Sequence, residues 1–156
     1  MKIKAVTANN RKHRFEVDLG RRGVLGFPYT RCNPGPTPAD RVVDVHVDDE
    51  LGREGFTYLL ASGVEGSVMV DFVLDHNADP AYVATMELHR LTLEAKDRFE
   101  RSGRTARDAA AALGTSPTQL YRLLDPTNYA KSAHQLLALL ALVGCEVTVV
   151  EAKASA

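Results

Sequence analysis

Few side chains in this chain are spaced to do chemistry together. Asp71, Asp75 and His76 are the closest set of possible metal ligands. Asp75 and His76 are adjacent, so on a helix they point in different directions, and Asp71 is read at a strand end. The trio is expected to be a solvated acidic edge, and no metal is expected. Cys32 and Cys145 have no short spacing that would make a metal knuckle or a redox pair. His13, His46, His89 and His134 are isolated and read as surface or half-buried residues. No serine sits in a G-x-S-x-G elbow, and no G-x-G-x-x-G or Walker pattern is present. No nucleophile–base pair can be assembled, so neither an enzyme nor a cofactor is expected. One cluster of polar side chains remains: Ser116, Pro117, Thr118, Tyr121 and Arg122, followed by Lys131. Hydroxyls, helix-end N–H groups left free beside the Ser116 cap and a guanidinium together suit contact with a polyanion.

The elements that must position this cluster are legible in Arg104–Asn128, RTARDAAAALGTSPTQLYRLLDPTN. Thr105, with Asp108 three residues on, can cap a short helix, which ends at Gly114. The next helix starts on three agreeing signals: Ser116 at the cap, Pro117 at the first position and Gln119 closing a capping box. Asp125-Pro126 stops it. Two helices of about two turns, joined by a few residues with a glycine, have helix-turn-helix dimensions. Ala110 is small where the helices touch, and Leu113, Leu120 and Leu123 can seal the angle. With the second helix in a major groove, Ser116, Pro117, Thr118, Tyr121 and Arg122 face base edges. Arg122 pairs with a guanine edge or a phosphate. Thr118 and Tyr121 donate to phosphates or touch a thymine methyl. Lys131 either reaches a phosphate or is simply solvated.

With LGTSPTQLYRLLDP followed by KSAHQLLALLALVGCEVTVV, about residues 104–150 resemble the Cro/Xre-type helix-turn-helix of bacterial antitoxins and small repressors. The tail has the helix–glycine–strand order that such antitoxins carry. The resemblance implies sequence-specific binding of double-stranded DNA by a transcriptional repressor or an autoregulating antitoxin. A toxin or another protein would then be held by the first half. The alternative is an interaction module whose helical half binds a partner protein and not DNA. Arg122 is the only strong base reader on the second helix, and Asp108 and Asp125 are acids beside the expected phosphates. Both features make a homodimer on two half-sites more necessary.

The composition agrees with a local, not a global, polyanion surface. The chain has 156 residues, 45% of them hydrophobic, 25% charged, with a net charge of −1. A uniformly basic protein is excluded. Residues 2–31 carry eight cations against two acids, a balance of +6, whereas residues 40–79 carry two arginines against ten acids, or −8. These two stretches either neutralise each other within one β unit or leave a basic arm beside DNA. Residues 96–131 carry seven cations and four acids, a balance of +3.

The fold class expected is α+β, with a small antiparallel β-rich half at 1–78 and a helical half at 79–156. Alternation predicts strands at Lys2–Thr7, His13–Leu19, Arg41–Val47 (Val43, Val45 and Val47 on one side), Phe56–Ala61 and Ser67–Val70. Asp79-Pro80 opens a long helix to about residue 102, with Ala84, Leu88, Leu91, Ala95 and Phe99 as its apolar stripe. Ser132 with Gln135 caps a last helix to Val143, apolar on most sides and therefore buried. Cys145–Val150 reads as a strand that either joins the first sheet or pairs with its own copy in a second chain. Two free thiols and the lack of a signal-peptide core suggest a cytoplasmic protein. The longest apolar run, Leu136–Val143, falls far short of the ~20 residues that span a bilayer, so no membrane partner is expected.

Overall fold

Alternating residues that exclude water build the first half. In a computed structural model, which describes residues 1–151, Phe15, Val17 and Phe27 are buried from one sheet and Phe56, Tyr58 and Leu60 from a second. The ring of Phe15 lies 4.8 Å from that of Phe56 and 5.0 Å from that of Tyr58, the offset spacing that aromatic rings prefer. The first sheet is an antiparallel meander of β1 (Ala5–Asn9), β2 (Arg14–Asp18) and β3 (Val24–Pro28). The second repeats the plan with β4 (Val42–Val47), β5 (Gly55–Leu60) and β6 (Glu65–Met69). The protein is of the α+β class.

Two elements of this half differ from expectation. The strand β3, and the helix α1 (Val70–His76), carry no clear signal. α1 buries Val70, Val73 and Leu74 at helical spacing, so Asp71 lies in a helix and not at a strand end. A bulge between Val42 and Asp44 shifts the register of β4. Val42 is therefore buried, Val43 turns to solvent, and Val45 and Val47 stay half-buried.

The chain divides into two units after Val83, a few residues beyond the boundary expected at 78. Asp79 and Tyr82 hold the first turn of the next helix to the first unit. Arg22 Nη1 donates to Asp79 Oδ1 at 2.6 Å, and Tyr82 packs on the β core. Among the described residues, side-chain pairing between the basic and acidic stretches runs through this contact; Lys12 and Arg14 pair with Glu16 inside the basic stretch.

The second unit is helical. α2 (Pro80–Arg101) is followed by α3 (Ala106–Ala112), α4 (Pro117–Leu124) and α5 (Ala133–Leu142). Asp79 Oδ1 accepts from Tyr82 N–H, as its N-cap position requires. Glu94 with Arg98 and Asp97 with Arg101 form the expected pairs on the wet faces, at 3.6 and 3.1 Å. The stripe of α2 enters the core only from Leu88 onward; Ala84 is exposed, and Thr92 shares the buried face. Ala95, Phe99, Ala109, Ala110, Leu120, Leu123, Leu124, Leu136, Leu139 and Leu140 form the core of this unit.

Candidate nucleic-acid interface

The turn between α3 and α4 is set by main-chain chemistry. Thr105 Oγ1 accepts from Asp108 N–H at 3.1 Å to start α3. The helix closes with Thr115 N–H on Ala110 O at 2.9 Å and Gly114 N–H on Ala111 O at 3.2 Å, the paired bonds of a glycine C-terminus. Gly114 takes φ +65°, a conformation that any other common residue adopts at a cost. Ser116 Oγ then accepts from Gln119 N–H at 3.2 Å, and Pro117 occupies the first turn.

Leu120, Leu123 and Leu124 hold α4 against the core, with Ala109 and Ala110 of α3 buried among them. Spacing of three and four residues turns the opposite face outward. Ser116, Pro117, Thr118, Tyr121 and Arg122 are all exposed, Tyr121 by 62%. These five residues, expected from sequence to act together, share one outward surface.

Lys131, expected from sequence either to reach a phosphate or to be solvated, has its ammonium on protein acceptors. Its Nζ donates to Thr92 Oγ1 at 3.1 Å, to Leu123 O at 2.8 Å and to Asp125 O. Thr92 is fully buried and also donates to Leu88 O at 2.7 Å. The ammonium thus serves carbonyls at the end of α4 that have no helical partner, where a cation is favoured. Burial lowers the Lys131 pKa, while Asp125 opposes that shift. Asp125 is held below the usual carboxylate range, first by the Thr127 hydroxyl, then by the Thr127 N–H and more weakly by Lys131 and Lys96. Its carboxylate organises the turn after α4 through Thr127 and remains exposed.

Three exposed residues escaped the sequence reading as contacts. Gln119 N–H takes the Ser116 bond, but the Gln119 side chain closes no capping box among the described residues, so its amide is open to solvent. The signal was its place in the first turn, where base-reading side chains lie. Arg104 and Arg107 flank the start of α3, exposed and without an ion pair among the described residues. The loop after α4 is pinned to α2 by His89, whose Nδ1–H donates to Pro126 O at 3.2 Å and whose ring stacks on Tyr129 at 6.1 Å.

The segment expected as a last strand, Cys145–Val150, makes no ladder among the described residues. Cys145 N–H closes α5 on Leu140 O at 2.8 Å, and the chain then runs out with Val149 98% exposed. Its own unit is helical and offers no strand to pair with.

Among the described residues, no group of three His, Cys, Asp or Glu is placed to hold a metal ion, and no helix is long and apolar enough to cross a membrane. Burial pushes the Cys32 thiol up to about 11, so it is protonated near neutral pH. No protein-family model matches the chain, and no curated protein or solved structure matches it either.

Proposed function

We propose that the protein binds double-stranded DNA in a sequence-dependent way through α3 and α4, as a transcriptional repressor or an autoregulating antitoxin in a bacterial cytoplasm. The observation that carries this reading is the division of α4. Three leucines are buried, while Ser116, Pro117, Thr118, Tyr121 and Arg122 are presented together to solvent. The buried side fixes the helix and the outward side is free to enter a major groove. Gln119 joins the base-reading set, since a glutamine amide matches the adenine edge. Arg104 and Arg107 supply phosphate contacts beside it.

A single helix with one arginine reader has little discriminating capacity. We therefore infer a homodimer in which Cys145–Val150 of two copies pair as antiparallel strands across a two-fold axis. The alternating valines and the main chain beyond Cys145, unpaired among the described residues, support that arrangement. The operator is then palindromic, with half-sites about one helical turn apart.

Fluorescence anisotropy with duplex DNA tests this. Counterion release makes log K fall linearly with log salt in proportion to the phosphates neutralised. Affinity that is absent at low salt, or indifferent to salt, would assign the outward face to a partner protein instead.

A further inference from the structure

The sheet edges of the first unit are covered unequally. β1 and β4 lie against each other, and Asn10 Nδ2 donates to Val42 O at 3.1 Å. On β3, Leu19 N–H bonds Gly23 O and Tyr29 N–H bonds His13 O, which sets the alternation of the ladder. Val24, Gly26 and Pro28 therefore turn their main-chain groups outward. Of these, Gly26 O accepts from Asn77 Nδ2 at 2.9 Å, and Pro28 has no N–H to offer.

β6 has neither device. Leu60 N–H donates to Val64 O at 2.9 Å and Val70 N–H to Glu54 O at 2.8 Å, with an unbroken register between them. The same alternation turns the main-chain groups of Glu65, Ser67 and Met69 outward. Among the described residues these groups meet no protein partner, except Met69 O, which as the N-cap carbonyl of α1 accepts from Val73 N–H. An edge left open in this way is a template for another strand.

An apolar cluster stands at the end of this edge. Leu51 and Met69 lean over the bare backbone of Gly55, where a Cβ would come within 2.8 Å of Leu51 Cδ1 and 3.1 Å of Met69 Sδ. Phe72, one helical turn beyond Met69, is 62% exposed. Acids lie along this edge and beyond it: Glu65 at the far end of the strand, Glu54 beside its other end and paired with the Met1 ammonium at 3.4 Å, and Asp71 and Asp75 on α1 to either side of Phe72.

We propose that the β6 edge docks an extended segment of a cationic partner protein, which adds to the sheet as a further strand and lays an apolar side chain over Leu51, Met69 and Phe72. Main-chain bonds from Glu65, Ser67 and the Met69 N–H supply attachment, and the acids select lysine- or arginine-bearing partners. A second copy of this chain fits poorly, because it sets an acid-rich surface against itself. The proposal stands apart from the DNA reading, since it uses none of the same residues.

Selection of displayed random dodecapeptides on the intact protein, without DNA, tests it. Enriched peptides should alternate β-branched residues with lysine or arginine. Ser67→Pro removes one outward N–H and leaves the ladder to β5 in place. That variant and Phe72→Ala should each weaken the best synthetic peptide by about tenfold or more, a loss of ~1.4 kcal/mol. If Ser67→Pro does not melt like the parent, methylating alternate peptide amides reads the same ladder and should give the same loss. The proposal is overturned by peptides with no basic residues, or by binding indifferent to both the proline and the methylation. It is also overturned if Ser67→Pro turns a dimer into a monomer in sedimentation, because the edge then serves a second copy.

Discussion

Lys131→Met separates two roles that the sequence left open for one lysine. Methionine keeps the length and apolar stem of the side chain and removes only the ammonium. Three acceptors lose the ammonium, Thr92 Oγ1, Leu123 O and Asp125 O, although Asp125 O keeps the Asn128 N–H at 3.2 Å. A hydrogen bond to a charged group contributes roughly 1.5–3 kcal/mol when buried, but the side chain is only part-buried and water can replace part of it. Thr92 also keeps its bond to Leu88 O. The net loss is thus about 1–2 kcal/mol, at or below the lower end of that range. For a helical unit of this size, 1 kcal/mol moves the midpoint by roughly 4–8 °C. Circular dichroism melts of the parent and Lys131→Met give the stability, and anisotropy titrations at several salt concentrations give the DNA term. The expected pair of results is a lower melting temperature with an unchanged salt slope. A phosphate-contacting lysine gives the reverse: an unchanged melt and a slope smaller by about 1. That reverse result would refute the placement of Lys131 as the cap of α4.

Leu120→Ala opens a cavity under the outward helix at a fully buried position, and should cost ~2–5 kcal/mol in urea unfolding while abolishing DNA binding at 37 °C. Ala110→Leu should cost ~1–3 kcal/mol by forcing apart the two helices that meet there, with DNA affinity falling more than stability alone accounts for. Asp48 is held below the usual carboxylate range, first by the Leu51 N–H, then by the Thr57 hydroxyl and the Glu50 N–H. Its contribution is complete above an unfolded pKa of about 3.9 and is lost as pH falls through the lower folded value. Thermal midpoints measured from pH 5 down to pH 2 should therefore fall less steeply in Asp48→Asn than in the parent; parallel curves would contradict this.

How much was legible follows from where each signal resides. The ends of α3 and α4 were readable because Thr105, Gly114, Ser116 and Pro117 act through local main-chain chemistry, which needs no tertiary context. The outward set on α4 followed from helical spacing alone. Lys131 was not readable in the same way: its acceptors lie on α2 and at the end of α4, up to 39 residues away, and only packing brings them together. The bulge that turned Val43 outward left no composition signal, so strict alternation misplaced that residue. β3 escaped because its five residues, VLGFP, include a glycine and a proline that are poor strand formers, and the register with β2 outweighs that propensity. The last segment shows the opposite failure. CEVTVV has the pattern of a strand, but a strand needs a neighbour, and its own unit has none.

Selection of bound sequences from random duplex DNA, repeated with Arg122→Ala, tests the central claim most directly. The account predicts an enriched palindrome with half-sites about one helical turn apart. For Arg122→Ala it predicts relaxed preference at one base pair per half-site and a loss of ~1–3 kcal/mol there. No enriched motif from the parent protein, or the same motif and affinity from Arg122→Ala, would contradict it.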